Sequence, residues 1–387
     1  MGIWIGRGRK ARICYGFDDI SLVPGSVTIN PVDVDISVDI AGKKLGVPIL
    51  AAAMDGVVDP RFAVAFGKAG GLAVLNLMGV YTRYEDPYAV IEEIVSCPQE
   101  KATALIQKIY HEPVKENLIV KRIQEIKSGN VPCAVSSIPQ NAERFGAIAQ
   151  EAGADIFVVQ STVITAKHIS STYKPLDLSS FCATMKIPVI AGNCVTFQVA
   201  LDLMETGIQG LLVGVGPGAA CTTREVLGIG VPQVAAICDC AAARDFFYKR
   251  TGSYVPIIAD GGMITSGDIC KAFACGADAV MVGSAFVRAQ EAPAKGYHWG
   301  MATSDENLPR GTRIRLGTVG PINQILFGPS NTDDGSQNLI GALRLSMASL
   351  GVNNLREMQL IEIAVAPSIK TEGKIYQIAK KQAILGK

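Results

Sequence analysis

The chain has 387 residues, and its 36 Lys and Arg against 35 Asp and Glu leave a formal net charge of +1. That balance gives no electrostatic case for nucleic acid or an anionic membrane as the main partner. A hydrophobic share of 49% against 18% charged, with 40 glycines, fits a large buried α/β core with many tight turns, in one large domain or two ordinary ones. The opening MGIWIGRGRKARIC lacks the apolar run of a signal peptide, and Gly6 stands where a myristoylation pattern wants Ser or Thr. No apolar stretch is long enough for a bilayer; VPILAAAM (47–54) is stopped by Asp55. Ten cysteines without a secretory signal read as reduced thiols, and Cys238 and Cys240 have no second pair or His nearby to make a zinc site. The expectation is a cytoplasmic protein with no membrane or nucleic-acid partner.

In chain order, short β-branched runs bounded by Gly, Pro or Asp are VPILAAAM (47–54), GLAVLNL (71–77), VPCAVSSI (131–138) and DIFVVQST (155–162). IPVIAGN (187–193), GIQGLLVGV (207–215), VPIIADGG (255–262) and ADAVMVGS (277–284) follow. They are nearly continuous in apolar residues, as parallel strands covered on both faces are. Helical patterns lie between them at 60–70, 141–153, 196–207 and 266–276, several ending at a glycine that suits a C-cap. Eight such units predict a (β/α)₈ TIM barrel, with a doubly wound open sheet as the alternative. The whole of 1–387 then reads as a single catalytic domain. Residues 78–130 form a partly helical insertion after the second strand, and 289–339 an irregular segment after the eighth that predicts an active-site lid.

A barrel of this kind works at the C-terminal ends of its strands. The loop after the sixth, GVGPGAACTTREV (214–226), therefore puts Cys221 on the catalytic face. Its glycines let the backbone approach a ligand closely, and a helix beginning after Cys221 would lower the thiol pKa through its dipole. Cys221 is thus a candidate nucleophile; a buried structural cysteine on a tight turn is the alternative. The seventh and eighth strands end in ADGG (259–262) and GS (283–284), and a helix near Ser266 would aim N–H groups at an anion. Asp260 could accept from ribose hydroxyls, or Asp260 and Ser266 could serve as turn and helix caps. A thiolate, a phosphate site and a lid together suggest covalent chemistry on a phosphorylated metabolite. Of the histidines, His111 and His168 sit in polar surroundings unsuited to metal, and His298 lies in the lid between Tyr297 and Trp299, where a ligand contact is open.

YGFDDISLVPG (15–25), VPILAAAMDGV (47–57), AGGLAVLN (69–76), IPVIAGNCVT (187–196), GPGAACTTREVLGIGVPQ (216–233), IIADGG (257–262), GADAVMVGS (276–284) and EAP (291–293) resemble, in register, the IMP dehydrogenase/GMP reductase family. The resemblance runs from about residue 13 to 345 and implies a TIM barrel, a homotetramer or octamer, and an insertion too short to hold CBS domains. It further implies that Cys221 attacks C2 of the purine, with Thr223 beside it to handle water or ammonia. Gly216, Gly218 and Cys221 would offer carbonyls to a potassium ion, and Asp260 would hold the ribose. Gly262, Gly283 and Ser284 would hold the phosphate, Gly218 would also bind substrate, and Met54, Asn193 and Met301 would line the base. Gln160, Ser161 and Thr162 fall on the nicotinamide side.

The departures from the family pattern bear on direction. Ala219 removes a phosphate-binding serine, Gln160 replaces a cofactor-side Asp, and Leu77 stands where GMP reductases need a Lys. Arg310 aligns with a base-contacting Glu or Gln, and the flap lacks the usual Arg-Tyr pair that activates water. An apolar Leu77 cannot protonate departing ammonia, so oxidation of IMP to XMP with NAD is the favoured reading, with Arg310 or Arg313 activating water or merely holding phosphate or solvent. The alternatives are an NADPH-dependent GMP reductase and a weakly catalytic nucleotide-binding homologue. A flavin barrel gives the Cys-Thr-Thr loop no role.

Overall fold

The apolar runs form eight parallel strands: β1 (Ile49–Ala51), β2 (Leu72–Asn76), β3 (Ala134–Ser137), β4 (Ile156–Gln160), β5 (Val189–Cys194), β6 (Gly210–Val213), β7 (Ile257–Asp260) and β8 (Ala279–Val282). The structure, a computed structural model, describes residues 2–300 and 313–366. Each strand pairs with the next, and β8 pairs back onto β1 through Val280–Ile49, Met281–Leu50 and Val282–Ala51. That last pairing closes a (β/α)₈ barrel and rules out the open sheet.

Successive strand residues alternate between two cores, which is why the runs lack a polar face. Leu50, Leu72, Val74, Ile156, Val158, Ile190, Leu212, Ile258 and Met281 fill the barrel. Their neighbours, such as Ile49, Leu75, Phe157, Val159, Val213 and Val280, pack outward under the helices. An antiparallel hairpin, Val38–Ile40 with Lys43–Leu45, plugs the N-terminal end by adding Ile40 and Leu45 to the interior cluster. At the other end the interior finishes on Ala52 and Ala53, small side chains that leave room above them.

The crossover helices start where capping side chains allow. α1 (Pro60–Lys68) begins with Asp59 accepting from Phe62 N at 2.6 Å. Between β2 and β3 lie α2 (Pro87–Ser96), α3 (Gln99–His111) and α4 (Glu116–Lys127). Because α4 packs between α1 and α5 (Pro139–Glu151), it is the barrel's own second crossover, and the inserted part of 78–130 is the stretch ahead of it. After β4 comes α6 (Leu178–Thr184), and after β5 α7 (Phe197–Met204), capped by Thr196. β6 is followed by the short α8 (Thr223–Leu227) and the long α9 (Gln233–Thr251), and β7 by α10 (Ser266–Ala274).

The segment after β8 departs from the expected lid. Tyr297–His298 pairs with Ile314–Arg315, and Val319 N and Gln290 N bond Arg288 O and Gly320 O. α11 (Ile322–Phe327) buries Ile322, Ile325 and Leu326 and packs against α12 (Leu339–Leu350). Most of 289–339 is therefore built structure, and residues 301–312 of it lie outside the described residues. None of the described helices is long and apolar enough to cross a membrane.

Candidate active site

The strand ends surround an open cavity of about 1070 Å³, mouth included, lined by Met54, Gln160, Asn193, Cys221, Thr223, Asp260, His298 and the glycine turns after β6, β7 and β8. Two of those turns touch each other. A Cβ on Gly262, whose φ is +83°, would come within 2.9 Å of Pro217 Cβ, and one on Gly214 within 2.3 Å of Asp260 O. Only glycine lets the β6 and β7 loops approach so closely, so their backbones form one wall.

Within the β6 loop, Cys221 N donates to Gly218 O at 3.0 Å, a turn that lifts the thiol out. Cys221 is exposed, and its Sγ–H points to Thr223 Oγ1 at 3.1 Å; the buried threonine hydroxyl can return that bond to a thiolate. α8 behind it is five residues long and ends at Gly228 in the left-handed region. It is too short to supply the dipole expected of a helix there.

Opposite lies a carboxylate held by neutral amides. Asp260 Oδ2 accepts from Asn193 Nδ2 at 2.7 Å and Gln160 Nε2 at 3.1 Å, and Gln160 Nε2 also reaches Asn193 Oδ1 at 3.4 Å. Burial pushes the Asp260 carboxyl up to about 6, an effect the two amides only partly offset. Gln160, expected on the cofactor side, is turned instead onto Asp260. Ser161 and Thr162, also at the end of β4, do line the cavity.

Gly262, Gly283 and Ser284 face the cavity, and a Cβ on Gly283 would strike Met54 Sδ at 2.7 Å. The N-terminus of α10 does not face it. Ser266 N donates to Gly335 O at 2.8 Å, and Thr265 with Asp268 closes a capping box on the first turn. The N–H groups expected to hold an anion are thus spent within the chain.

Arg313 is likewise spent elsewhere. Its Nη1 donates to Ile94 O at 2.5 Å and Val95 O at 3.2 Å, its Nη2 to Gln99 Oε1 at 3.0 Å, and it is buried among them. It ties the strand after the flap to the α2–α3 corner and is no water activator. Arg310 and Met301 lie outside the described residues. Leu77 is fully buried in the outer core, so nothing polar reaches the cavity from that position.

Asp55 and its partners escaped the sequence reading, which left a ligand contact open at His298. Asp55, next to Met54, is buried and accepts from Tyr110 Oη at 2.5 Å and Val80 N at 2.6 Å, and Trp299 Nε1 donates to Tyr110 Oη at 2.9 Å. This chain joins the β1 loop, the inserted α3 and the segment entering the flap. His298, beside Trp299, lines the cavity while only 1% exposed, and neither ring nitrogen has a partner among the described residues. Its aromatic neighbours were the one local sign that this part of the chain is buried.

A closed eight-stranded parallel barrel with its cavity at the carboxyl ends of the strands has the architecture of the (β/α)₈ enzymes. Within that class the chain belongs to the IMP dehydrogenase / GMP reductase domain family, whose model matches residues 14–306. It is 38% identical over 370 residues to an uncharacterized oxidoreductase of Mycolicibacterium smegmatis, covering 93% of this chain and 99% of that one. An inosine-5'-monophosphate dehydrogenase of Borreliella burgdorferi is 33% identical over 308 residues, covering 72% of this chain and 71% of its own. Among solved structures, an IMP dehydrogenase/GMP reductase-like protein from Corynebacterium glutamicum superposes with a TM-score of 0.88 at 36% identity, covering 94% of this chain and 97% of that one.

Proposed function

We propose that the protein is an IMP dehydrogenase, oxidising IMP to XMP with NAD as the hydride acceptor. The observation that carries this reading is the exposed Cys221 thiol, bonded to Thr223 and set over a cavity floored by the Asp260–Asn193–Gln160 cluster. As a thiolate, Cys221 adds to C2 of the hypoxanthine ring and forms a C–S bond. NAD, held by Ser161 and Thr162, would supply the acceptor for the hydride that leaves C2. Water then adds to C2 of the resulting thioimidate and the C–S bond breaks, returning the thiolate and giving XMP. The sum is IMP, NAD and water to XMP, NADH and a proton.

The chain's part is positioning and electrostatics. Ionised Asp260 accepts from the ribose hydroxyls, with Asn193 and Gln160 holding its free rotation. Gly262, Gly283 and Ser284 receive the phosphate, with Gly218 beside them, and Met54 packs on the base, as Met301 would. Thr223 steadies the sulfur through both steps. Ser161 and Thr162 give neutral hydrogen-bonding groups, which suit the uncharged carboxamide end of a nicotinamide. Arg310 remains the candidate to activate water. Gly216, Gly218 and Cys221 of the β6 loop would offer backbone carbonyls to a potassium ion. The assembly would be a homotetramer or octamer.

A paired absorbance assay tests the reading, one arm with IMP, NAD and potassium and the other with GMP and NADPH. NADH formation in the first arm alone is expected. NADPH loss in the second alone would make the protein a GMP reductase despite Leu77, and silence in both would leave a nucleotide-binding homologue.

A further inference from the structure

The cavity has an unusual charge inventory for a phosphorylated ligand. Among its described lining residues there is no Lys or Arg, and the one ionisable acid there besides the Cys221 thiol is Asp260. The phosphate turns contribute neutral backbone groups. His298 is the only described lining side chain that can become a cation near neutral pH.

That histidine is otherwise unexplained. It is buried, neither imidazole nitrogen has a partner among the described residues, and leaving both unsatisfied would cost stability unless a further group completes them. The groups around it are committed. On its own hairpin Tyr297 lies under the guanidinium groups of Arg313 and Arg315, at 5.2 and 5.6 Å from the ring centre. From the β1 loop, Asp55 is engaged by Tyr110, Val80 N and Asn76, and from α3 Tyr110 is engaged by Asp55 and Trp299. Across the cavity Cys221 meets Thr223, and Asp260 meets two amides. Burial alone pushes the His298 imidazole down to about 4, with no charged group contributing. It is therefore neutral at pH 7 when no ligand is present.

We propose that His298 makes binding of the phosphomonoester proton-linked: the buried imidazole lining the cavity takes up a proton when the phosphate dianion enters and donates to it as a cation. A negative charge arriving in the same low-dielectric cavity that His298 lines reverses the balance that burial set. The inference rests on the nucleotide reading of the cavity given above.

Isothermal titration of IMP without NAD tests it, run at one pH in two buffers of different ionisation enthalpy so that proton uptake is read directly. Uptake of a substantial fraction of a proton per site is expected, together with affinity that falls between pH 7 and 9, where Asp260 is already ionised. Inosine, lacking the phosphate, should bind without uptake. His298→Gln and His298→Phe should bind IMP more weakly, with no uptake and a flat profile over the same range. IMP binding without uptake, or equal uptake in both variants, would overturn the inference and leave the nucleotide site standing. No binding of IMP or inosine would remove the nucleotide reading and this inference with it.

Discussion

Asp278 and Asp155 at the N-terminal end of the barrel and Asp260 at the C-terminal end are held in opposite ways. At the N-terminal end Asp278, just before β8, receives Arg244 Nη1 at 2.9 Å, Ile257 N at 2.8 Å, the Tyr254 hydroxyl at 2.6 Å and Gln359 Nε2 at 3.1 Å. Asp155, just before β4, receives Lys43 at 2.9 Å, Lys127 at 2.7 Å and Cys133 N at 2.8 Å. At the C-terminal end Asp260 has two neutral amides and His298 has no partner among the described residues. Where the acid serves the fold, cations and donors of the same chain satisfy it; where a ligand is to come, capacity is left over and stability is given up for it.

The largest effect should come from the nucleophile. Cys221→Ala should lower turnover by at least about 10⁴-fold, because no other group can form the C2 bond. IMP affinity should stay near the wild-type value, since the thiol is exposed and its loss leaves the ribose and phosphate contacts in place. Stopped-flow formation of NADH, paired with IMP titration, separates the two quantities. Unchanged turnover would sink the covalent mechanism.

At the opposite end, Arg244→Met should act on the fold and hardly on the ligand. It removes the buried cation of Asp278, a carboxylate 4% exposed, and leaves only the more exposed Arg356 at 3.7 Å as an ion-pair partner among the described residues; breaking one side of a buried pair costs up to about 3–5 kcal/mol. A drop of that size in unfolding free energy by denaturant titration, with the KM for IMP unchanged in the folded fraction, is the expected outcome. A raised KM at unchanged stability would mean that the division of labour between the ends is wrong.

Asp260→Asn sharpens the comparison because it should move function and stability in opposite directions. Losing a charged acceptor for the ribose should weaken IMP by about 1.5–3 kcal/mol, roughly 10- to 100-fold. In the wild type KM should rise as pH falls through about 6, where Asp260 is protonated, and the variant should lack that inflection. The folded pKa lies above the usual Asp value of about 3.9. Stability linked to this acid is therefore fully present below the unfolded pKa and lost as pH rises through about 6. The ligand-free variant should then melt higher than wild type at pH 8, with the gap closing near pH 4.

The barrel and the Cys221 loop were legible because both are local signals. Strand runs covered on both faces, turn glycines and a Gly-rich cysteine loop are written in consecutive residues. Asp260 was legible as an acid at a strand end. Its partners were not: Gln160 lies 100 residues away and Asn193 67, and nothing local says that an amide after β4 turns toward β7 and not toward a cofactor. The same holds for Arg313, whose long irregular segment after the eighth strand suggests a lid while its partners at Ile94, Val95 and Gln99 belong to a helix corner over 200 residues earlier. α4 was read into the insertion because an exposed, charged amphipathic helix looks the same whether it is extra or part of the barrel; only packing between α1 and α5 decides.

The smallest effect should come from Lys43→Met, and its size tests how redundant the N-terminal end is. Lys43 sits on the hairpin that plugs the barrel and pairs with Asp155 from a side chain 36% exposed. Lys127 and Cys133 N remain on the same carboxylate after the substitution, so the acid is never stranded. The cost should be about 0.2–1 kcal/mol, the range of exposed pairs, against the several kcal/mol of Arg244→Met. Burial alone would raise the Asp155 pKa, but Lys127, Cys133 N and Lys43 outweigh it and leave the pKa below its usual value. The stabilisation is therefore present above about pH 3.9 and lost as pH falls through the lowered folded value. Denaturation midpoints of variant and wild type should differ slightly at pH 7 and converge in acid. A loss as large as that of Arg244→Met would show that the hairpin plug depends on this one lysine, and that the N-terminal end is held by single pairs and not by shared ones.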